Sequence, residues 1–268
     1  MDGPGEQWNP ERYEQFRAER ERPAHDIYAL LAPVPGGRAV YLCCGTGSLT
    51  ARLAAVTGAA DVVGIDSSPA MLAESETRTS AGVRFEAGDL ATWGDPADPF
   101  DVVAASASLQ WVPDHVGVLA RWTTALAPRG QLAVQVPANA DHASHLVAAE
   151  VAAEPRFAEA FAPAGGAPPD PVATHVLAPE DYAELLWDLG YADHHVRVQV
   201  YGPVLPSTAA VVDWMAGTSL TRFERLLDET TYGAFVDRYR ARLVEVLGDR
   251  KPYYFAFKRI LFWAQRPA

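Results

Sequence analysis

Cysteine is nearly absent: the 268-residue chain has two, Cys43 and Cys44, and they are neighbours. Adjacent cysteines close too tight a ring for a stabilising disulfide, so a disulfide-stapled scaffold is excluded and a reducing compartment is expected. No uncharged apolar stretch reaches the ~18 residues of a membrane span. The opening residues, MDGPGEQWNPERYEQFRAERERP, are charged and lack the apolar run of a signal peptide. A cytoplasmic protein without a membrane partner is the expectation. Positive charge is scarce as well. Lys and Arg total 22 against 34 Asp and Glu, and the net charge of −12 repels phosphate backbones and anionic lipid alike. Nucleic acid is therefore not an expected partner, and an anionic small ligand would need its own arginines inside a pocket. Repeats and convincing linkers are missing too, so residues 1–268 read as one domain, and as a monomer.

What is there is ordinary globular composition, 49% hydrophobic and 21% charged, enough for a sizeable core. Residues 1–35 read as a helical cap with apolar positions at Tyr13, Phe16, Ile27, Leu30 and Leu31, and Pro23 is expected to end or kink it. Over residues 36–137 short apolar runs alternate with helical patterns. AVYLCC leads to a glycine turn and the helix LTARLAAV, and then come DVVGID, SSPAMLAESE, VRFEAGD, DVVAASASL, HVGVLARWTTALA, a PRG turn and QLAVQV. Strands alternating with helices predict a parallel sheet covered on both faces. Residues 138–268 change rhythm. An Ala-rich helix over 141–161 precedes APAGGAPPDP, a loop expected to resist regular structure. A capped helix, APEDYAELLWDLG, precedes the alternating strand HHVRVQVY; positions 207–247 read as helical, and YYFAFKRILFWAQ as one long aromatic strand.

In an open parallel sheet, ligands bind beyond the strands' carboxyl ends where the topology reverses. The turn Cys44-Gly45-Thr46-Gly47 lies at such an end, where glycine lets the backbone approach a ligand and the next helix offers unpaired N–H groups. A plain strand-to-helix connection explains the turn equally well. Asp66 ends the next strand about twenty residues on, the offset at which an acid reaches a ribose hydroxyl pair. It can also cap the following helix, a duty for which Ser67 and Ser68 compete. Asp89 and Leu90 follow the third strand, where an acid can accept from an adenine amino group or simply face solvent. Ser106 to Trp111, SASLQW, ends the fourth strand with small residues that leave room for a ligand; core packing also accounts for Trp111. No His or acid stands near the cysteines at ligand spacing, so no metal site is expected and both thiols read as buried and packed.

The glycine turn, GIDSSPAML, GDL, ASLQWVPDH, LAPRGQLAVQVP and the opening WNPERYEQF with AERERP together resemble the trans-aconitate methyltransferases over nearly the whole chain. The resemblance implies a Rossmann-like class I methyltransferase fold: a seven-stranded, mostly parallel sheet with its last strand antiparallel, an N-terminal helical cap and a helical insertion before that strand. It implies S-adenosylmethionine held by Cys43, Cys44, Gly45, Thr46, Gly47, Asp66, Ser67, Met71, Asp89, Leu90, Ser106 and Gln110, with Trp8 and Tyr13 of the cap closing over the pocket. It also implies methyl transfer to a small carboxylic acid. A carboxylate is already a nucleophile at neutral pH, so no catalytic base is expected, only positioning. Arg20, Arg22 and Arg259, whose planar forks match carboxylates, and Tyr201 are the expected substrate contacts. His142 and His145, three apart, read as polar surface residues of one helix face, with a basic role only if the reaction is not carboxylate methylation.

The match fails at two places. The family's first strand normally ends Asp-Leu-Gly-Cys-Gly, whereas this chain has Tyr41-Leu42-Cys43-Cys44-Gly45, and Gly202-Pro203 stands where the family has a His-Gln pair after Tyr201. Tyr41 cannot act as a carboxylate, and Cys43 adds a side chain where a glycine had none. Two alternatives therefore stand beside carboxylate methylation: a methyltransferase-like enzyme catalysing a cyclisation or isomerisation, and a binding protein without turnover.

Overall fold

In a computed structural model, residues 16–94 and 96–268 are described; Trp8 and Tyr13 lie outside them. Helix α1 (Arg17–Tyr28) precedes strand β1 (Arg38–Leu42), and the glycine turn leads into α2 (Ser48–Thr57). Strand β2 (Asp61–Asp66), helix α3 (Pro69–Ser75) and strand β3 (Val83–Ala87) follow. Then come β4 (Phe100–Ser106), α4 (His115–Thr124) and β5 (Leu126–Pro137). Helices α5 (Ala143–Ala152), α6 (Pro155–Phe161), α7 (Pro171–His175) and α8 (Pro179–Asp188) lead to β6 (Asp193–Tyr201). After β7 (Val204–Leu205) come α9 (Ala210–Ala216), α10 (Thr221–Glu224), α11 (Glu229–Leu247), β8 (Tyr253–Tyr254) and the closing β9 (Phe257–Gln265).

Seven strands form one sheet in the order β3-β2-β1-β4-β5-β9-β6. The strands from β3 to β5 pair in parallel, and β9 inserts antiparallel between β5 and β6. This is the expected mostly parallel sheet with an antiparallel closing strand. The alternation of side chains along each strand supplies two cores. Ala39, Tyr41, Val62, Val102 and Ala104 join one face with α1, α2 and the later helices, while Val40, Leu42, Val63, Val103 and Ala105 join the other with Trp122, Tyr182 and Phe262. Burying a side chain such as Phe262 completely is worth about 1.5–3 kcal/mol. Among the described residues, no helix is long and apolar enough to cross a membrane.

Several local expectations are corrected. Pro23 neither ends nor breaks α1, because Ala24, Ile27 and Tyr28 are buried and hold the turn in place by tertiary contact. The PRG segment lies inside β5 rather than before it, with Arg129 N–H donating to the Pro267 carbonyl at 2.9 Å. The 141–161 helix divides at Pro155, which opens α6, and 207–247 divides into three helices. APAGGAPPDP contains a 3-10 turn at Ala162–Ala164, and its Asp170 caps α7. The aromatic strand splits because the chain turns at Phe255, whose ring packs edge-on against Trp214 at 5.5 Å.

Candidate functional site

The sheet order puts β2 on one side of β1 and β4 on the other, so the topology reverses between β1 and β4. A crevice opens beyond the carboxyl ends of those two strands. The turn leaving β1 needs glycine twice. Gly47 has φ 84°, and a Cβ there would stand 2.6 Å from the Phe85 ring; Gly45 has φ 54°, and open space lies where its Cβ would be. Thr46 is buried, and its carbonyl accepts from Arg78 Nη1 at 2.7 Å.

Asp66 ends β2 and reaches back to this turn: Oδ2 accepts from Gly45 N–H at 2.8 Å and Oδ1 from Ser68 N–H at 2.9 Å. Ser68, not Asp66, caps α3, its hydroxyl accepting from Met71 N–H. Burial pushes the Asp66 carboxyl above the usual carboxylate range, outweighing the N–H groups of Ser68, Gly45 and Ser67. With Cys43, Gly45, Ser67, Met71, Ser106, Ala107, Ser108 and Trp111, Asp66 lines a cavity of about 540 Å³. Cys43 is half-buried in that wall, a correction to its reading as a buried, packed thiol; Cys44 is buried as expected. Burial, then the nearby Asp66 carboxylate, pushes both thiols up, so each stays protonated. Cys43 and Ala107, at the ends of adjacent strands, are left-handed at φ 56° and 53°, a conformation that costs a side-chain-bearing residue energy and clusters at ligand sites.

A second cavity of about 810 Å³ shares Ser106, Ala107 and Trp111 with the first. Buried Arg20 and Arg259 belong to its wall, and among the described residues that line it there is no Asp or Glu. Arg20 donates from Nη2 to the Trp214 carbonyl at 2.9 Å and lies over the Trp214 ring, and Arg259 lies over Phe257. Gln110 also lines this cavity; its Nε2 donates to the Ala107 carbonyl at 2.7 Å, while Oε1 is buried without a hydrogen-bond partner.

Not every expected residue meets these cavities. Asp89 is exposed, with Oδ1 accepting from Ala91 N–H at 2.9 Å, and Leu90 belongs to the core. Arg22 is exposed beside the Tyr201 ring, and Tyr201 donates to Asp26 Oδ2 at 2.8 Å; neither is in the lining of these two cavities. His145 is not a surface residue but a buried part of the arginine cavity's wall, whereas His142 caps α5. Sequence reasoning missed Asn139, Asp170, Trp214 and Arg222. Asp170 before Pro171 carried a helix-start signal, but nothing local pointed it at a ligand cavity.

Residues 39–130 match the family model described as a methyltransferase domain. The chain is 43% identical over 265 residues to the trans-aconitate 2-methyltransferase of Deinococcus radiodurans, covering 97% of this chain and 98% of that protein. It is 37% identical over 268 residues to the enzyme of the same name from Variovorax paradoxus, covering 97% and 99%. Among solved structures, phosphoethanolamine N-methyltransferase 2 of Haemonchus contortus, in complex with S-adenosylhomocysteine, aligns with a TM-score of 0.52 at 17% identity, over 96% of this chain and 53% of that one. The chain belongs to the trans-aconitate 2-methyltransferase family, a family of S-adenosylmethionine-dependent methyltransferases.

Proposed function

We propose that the protein transfers a methyl group from S-adenosylmethionine to a carboxylate of a small, multiply charged organic acid similar to trans-aconitate. One observation carries this reading: a cavity whose wall includes two buried arginines adjoins the cavity of Asp66. In a chain of net charge −12, that local reversal of sign selects an anionic ligand.

Residues 36–137 are the cofactor half in this reading, and residues 138–268 contribute most of the substrate side. The residues present fit the cofactor. Gly45 leaves open space on its cavity side, and each Asp66 oxygen, though it accepts a backbone N–H, retains a lone pair for a ribose hydroxyl. Cys43, Gly45, Asp66, Ser67, Met71, Ser106 and Gln110 are the side chains and backbone that would hold it. When bound, S-adenosylmethionine supplies a methyl group on a positively charged sulfonium.

Arg20 and Arg259 bring to the cavity planar guanidinium groups, the side-chain type that binds carboxylates by paired N–H donation and fixes their orientation. The Phe257 and Trp214 rings against which they stack exclude water and strengthen that attraction. An ionised carboxylate has no proton to lose, so no residue acts as a base. Orientation and exclusion of water are what the protein contributes. Titrating the purified protein calorimetrically with S-adenosylmethionine, then assaying methyl ester formation from trans-aconitate by mass spectrometry, tests both steps. Micromolar cofactor binding with ester formation is expected; cofactor binding without ester from any di- or tricarboxylate sinks the substrate assignment.

A further inference from the structure

Four polar side chains unused in this reading form a continuous line through the wall of the arginine cavity. Asp170, the cap of α7, accepts Val172 N–H on Oδ1 at 3.0 Å, and its Oδ2 lies 2.5 Å from His145 Nδ1. The Arg222 guanidinium stands 3.8 Å from the same Oδ2. Across the imidazole, Nε2 is 3.1 Å from Asn139 Nδ2. Asn139, His145 and Arg222 are each more than nine-tenths buried, and Asn139 and His145 line the cavity. The line joins the loop after β5 to three separate helices, α5, α7 and α10.

The chemistry of the donors gives the line a direction. Burial alone would raise the Asp170 carboxyl, but His145 and Arg222 outweigh it and hold the group below the usual carboxylate range. An ionised carboxylate only accepts, so the proton between the two groups belongs to His145 Nδ1. An amide nitrogen only donates, so Asn139 Nδ2 is the donor across the ring and Nε2 the acceptor. His145 thus has its free lone pair engaged, which fits a residue that holds Asn139 rather than one that removes a proton. The Asn139 amide nitrogen keeps a second N–H, beside a cavity that Arg20 and Arg259 also line.

We infer that Asn139 is a specificity-determining residue that donates to a substrate carboxylate other than the one being methylated, and that His145 and Asp170 are positioning residues that fix its amide. The inference rests on the reading of an anionic substrate in this cavity. A conservative variant makes it testable. Glutamine carries a donor and an acceptor at a spacing close to that of the two imidazole nitrogens, so it can keep both hydrogen bonds of His145, whereas alanine keeps neither.

Steady-state kinetics with trans-aconitate at saturating S-adenosylmethionine are measured for the full chain and for Asn139→Ala, Asp170→Asn, His145→Ala and His145→Gln, with calorimetric cofactor Kd as the check on folding. Asn139→Ala, Asp170→Asn and His145→Ala are expected to raise KM about tenfold, the loss of one hydrogen bond to a charged group. Cofactor Kd and kcat should change little, and His145→Gln should retain most of the wild-type KM. An unchanged KM in Asn139→Ala, a loss confined to kcat, or identical behaviour of the two His145 variants overturns the inference. If the wild-type protein binds cofactor but esterifies no carboxylic acid, the proposed function fails first and this inference with it.

Discussion

The two cavities that meet at Ser106, Ala107 and Trp111 have opposite electrical character. Among the described lining residues, one has Asp66 as its charged group and the other has Arg20 and Arg259. They also differ in how they are made. The Asp66 cavity is built from turns at the ends of neighbouring strands, Gly45 after β1, Asp66 at the end of β2 and Ser106 at the end of β4. The arginine cavity draws Arg20 from the first helix, His145 and Trp214 from later helices, and Arg259 from the closing strand. In the proposed reading the cofactor's ribose hydroxyls meet an acceptor on one wall, and the substrate's carboxylates meet donors on the other.

Reversing the sign on the substrate side should have the largest effect. Arg259→Glu puts a carboxylate against the substrate's own, and a like-charge juxtaposition costs several kcal/mol, so ester formation should fall about 10³-fold or more. Cofactor Kd, read by calorimetry on the same preparation, should stay within a small factor; equal loss of both would mean that the two cavities are not independent. On the other side, Asp66→Asn removes a charged acceptor worth about 1.5–3 kcal/mol, an increase in cofactor Kd of about 10- to 100-fold. Substrate KM at saturating cofactor should be nearly unchanged.

How legible each cavity was follows from its construction. Gly45, Gly47 and Asp66 stand in short segments whose turn chemistry and spacing are local, and the parallel sheet follows from alternation of apolar runs with helical patterns. Arg20, Arg22 and Arg259 were all expected as substrate contacts, and nothing local in the sequence separates the exposed Arg22 from the two that reach the cavity. Asn139 and Asp170 were not legible at all: their meeting through His145 depends on how α5 and α7 lie over the end of β5, and tertiary contacts of that kind leave no periodic trace. Cys43 was noticed as a departure, but its positive φ and half-exposed place in the cavity wall required coordinates.

Cys43 also offers a way to sharpen the comparison at one position. A side chain held at φ 56° costs roughly 1–2 kcal/mol that glycine does not incur. Cys43→Gly should therefore raise the thermal midpoint by about 2–4 °C, the shift that ~1 kcal/mol gives a domain of this size class. It should also tighten cofactor binding, because the backbone contact stays while the thiol no longer occupies the Asp66 cavity, and it should leave the substrate KM as it was. A looser cofactor Kd in this variant would show that the Cys43 thiol, and not only its backbone, is a contact.

The smallest expected effect is one of pH, and it too divides the two sides. In the proposed reading Asp66 accepts from ribose hydroxyls as the ionised carboxylate, and burial raises its carboxyl above the usual range. Cofactor affinity should consequently weaken as pH falls toward mildly acid values, earlier than an ordinary carboxylate with a pKa of about 4 would allow. The sign follows from the protonated acid: it loses one acceptor and gains a proton that faces the donor it was meant to receive. Asp66→Asn, already weakened, should show a flat profile over the same interval. The guanidinium groups of Arg20 and Arg259 remain charged throughout, so acid should loosen the cofactor while those arginines keep their hold on the substrate's carboxylates until the substrate itself is protonated.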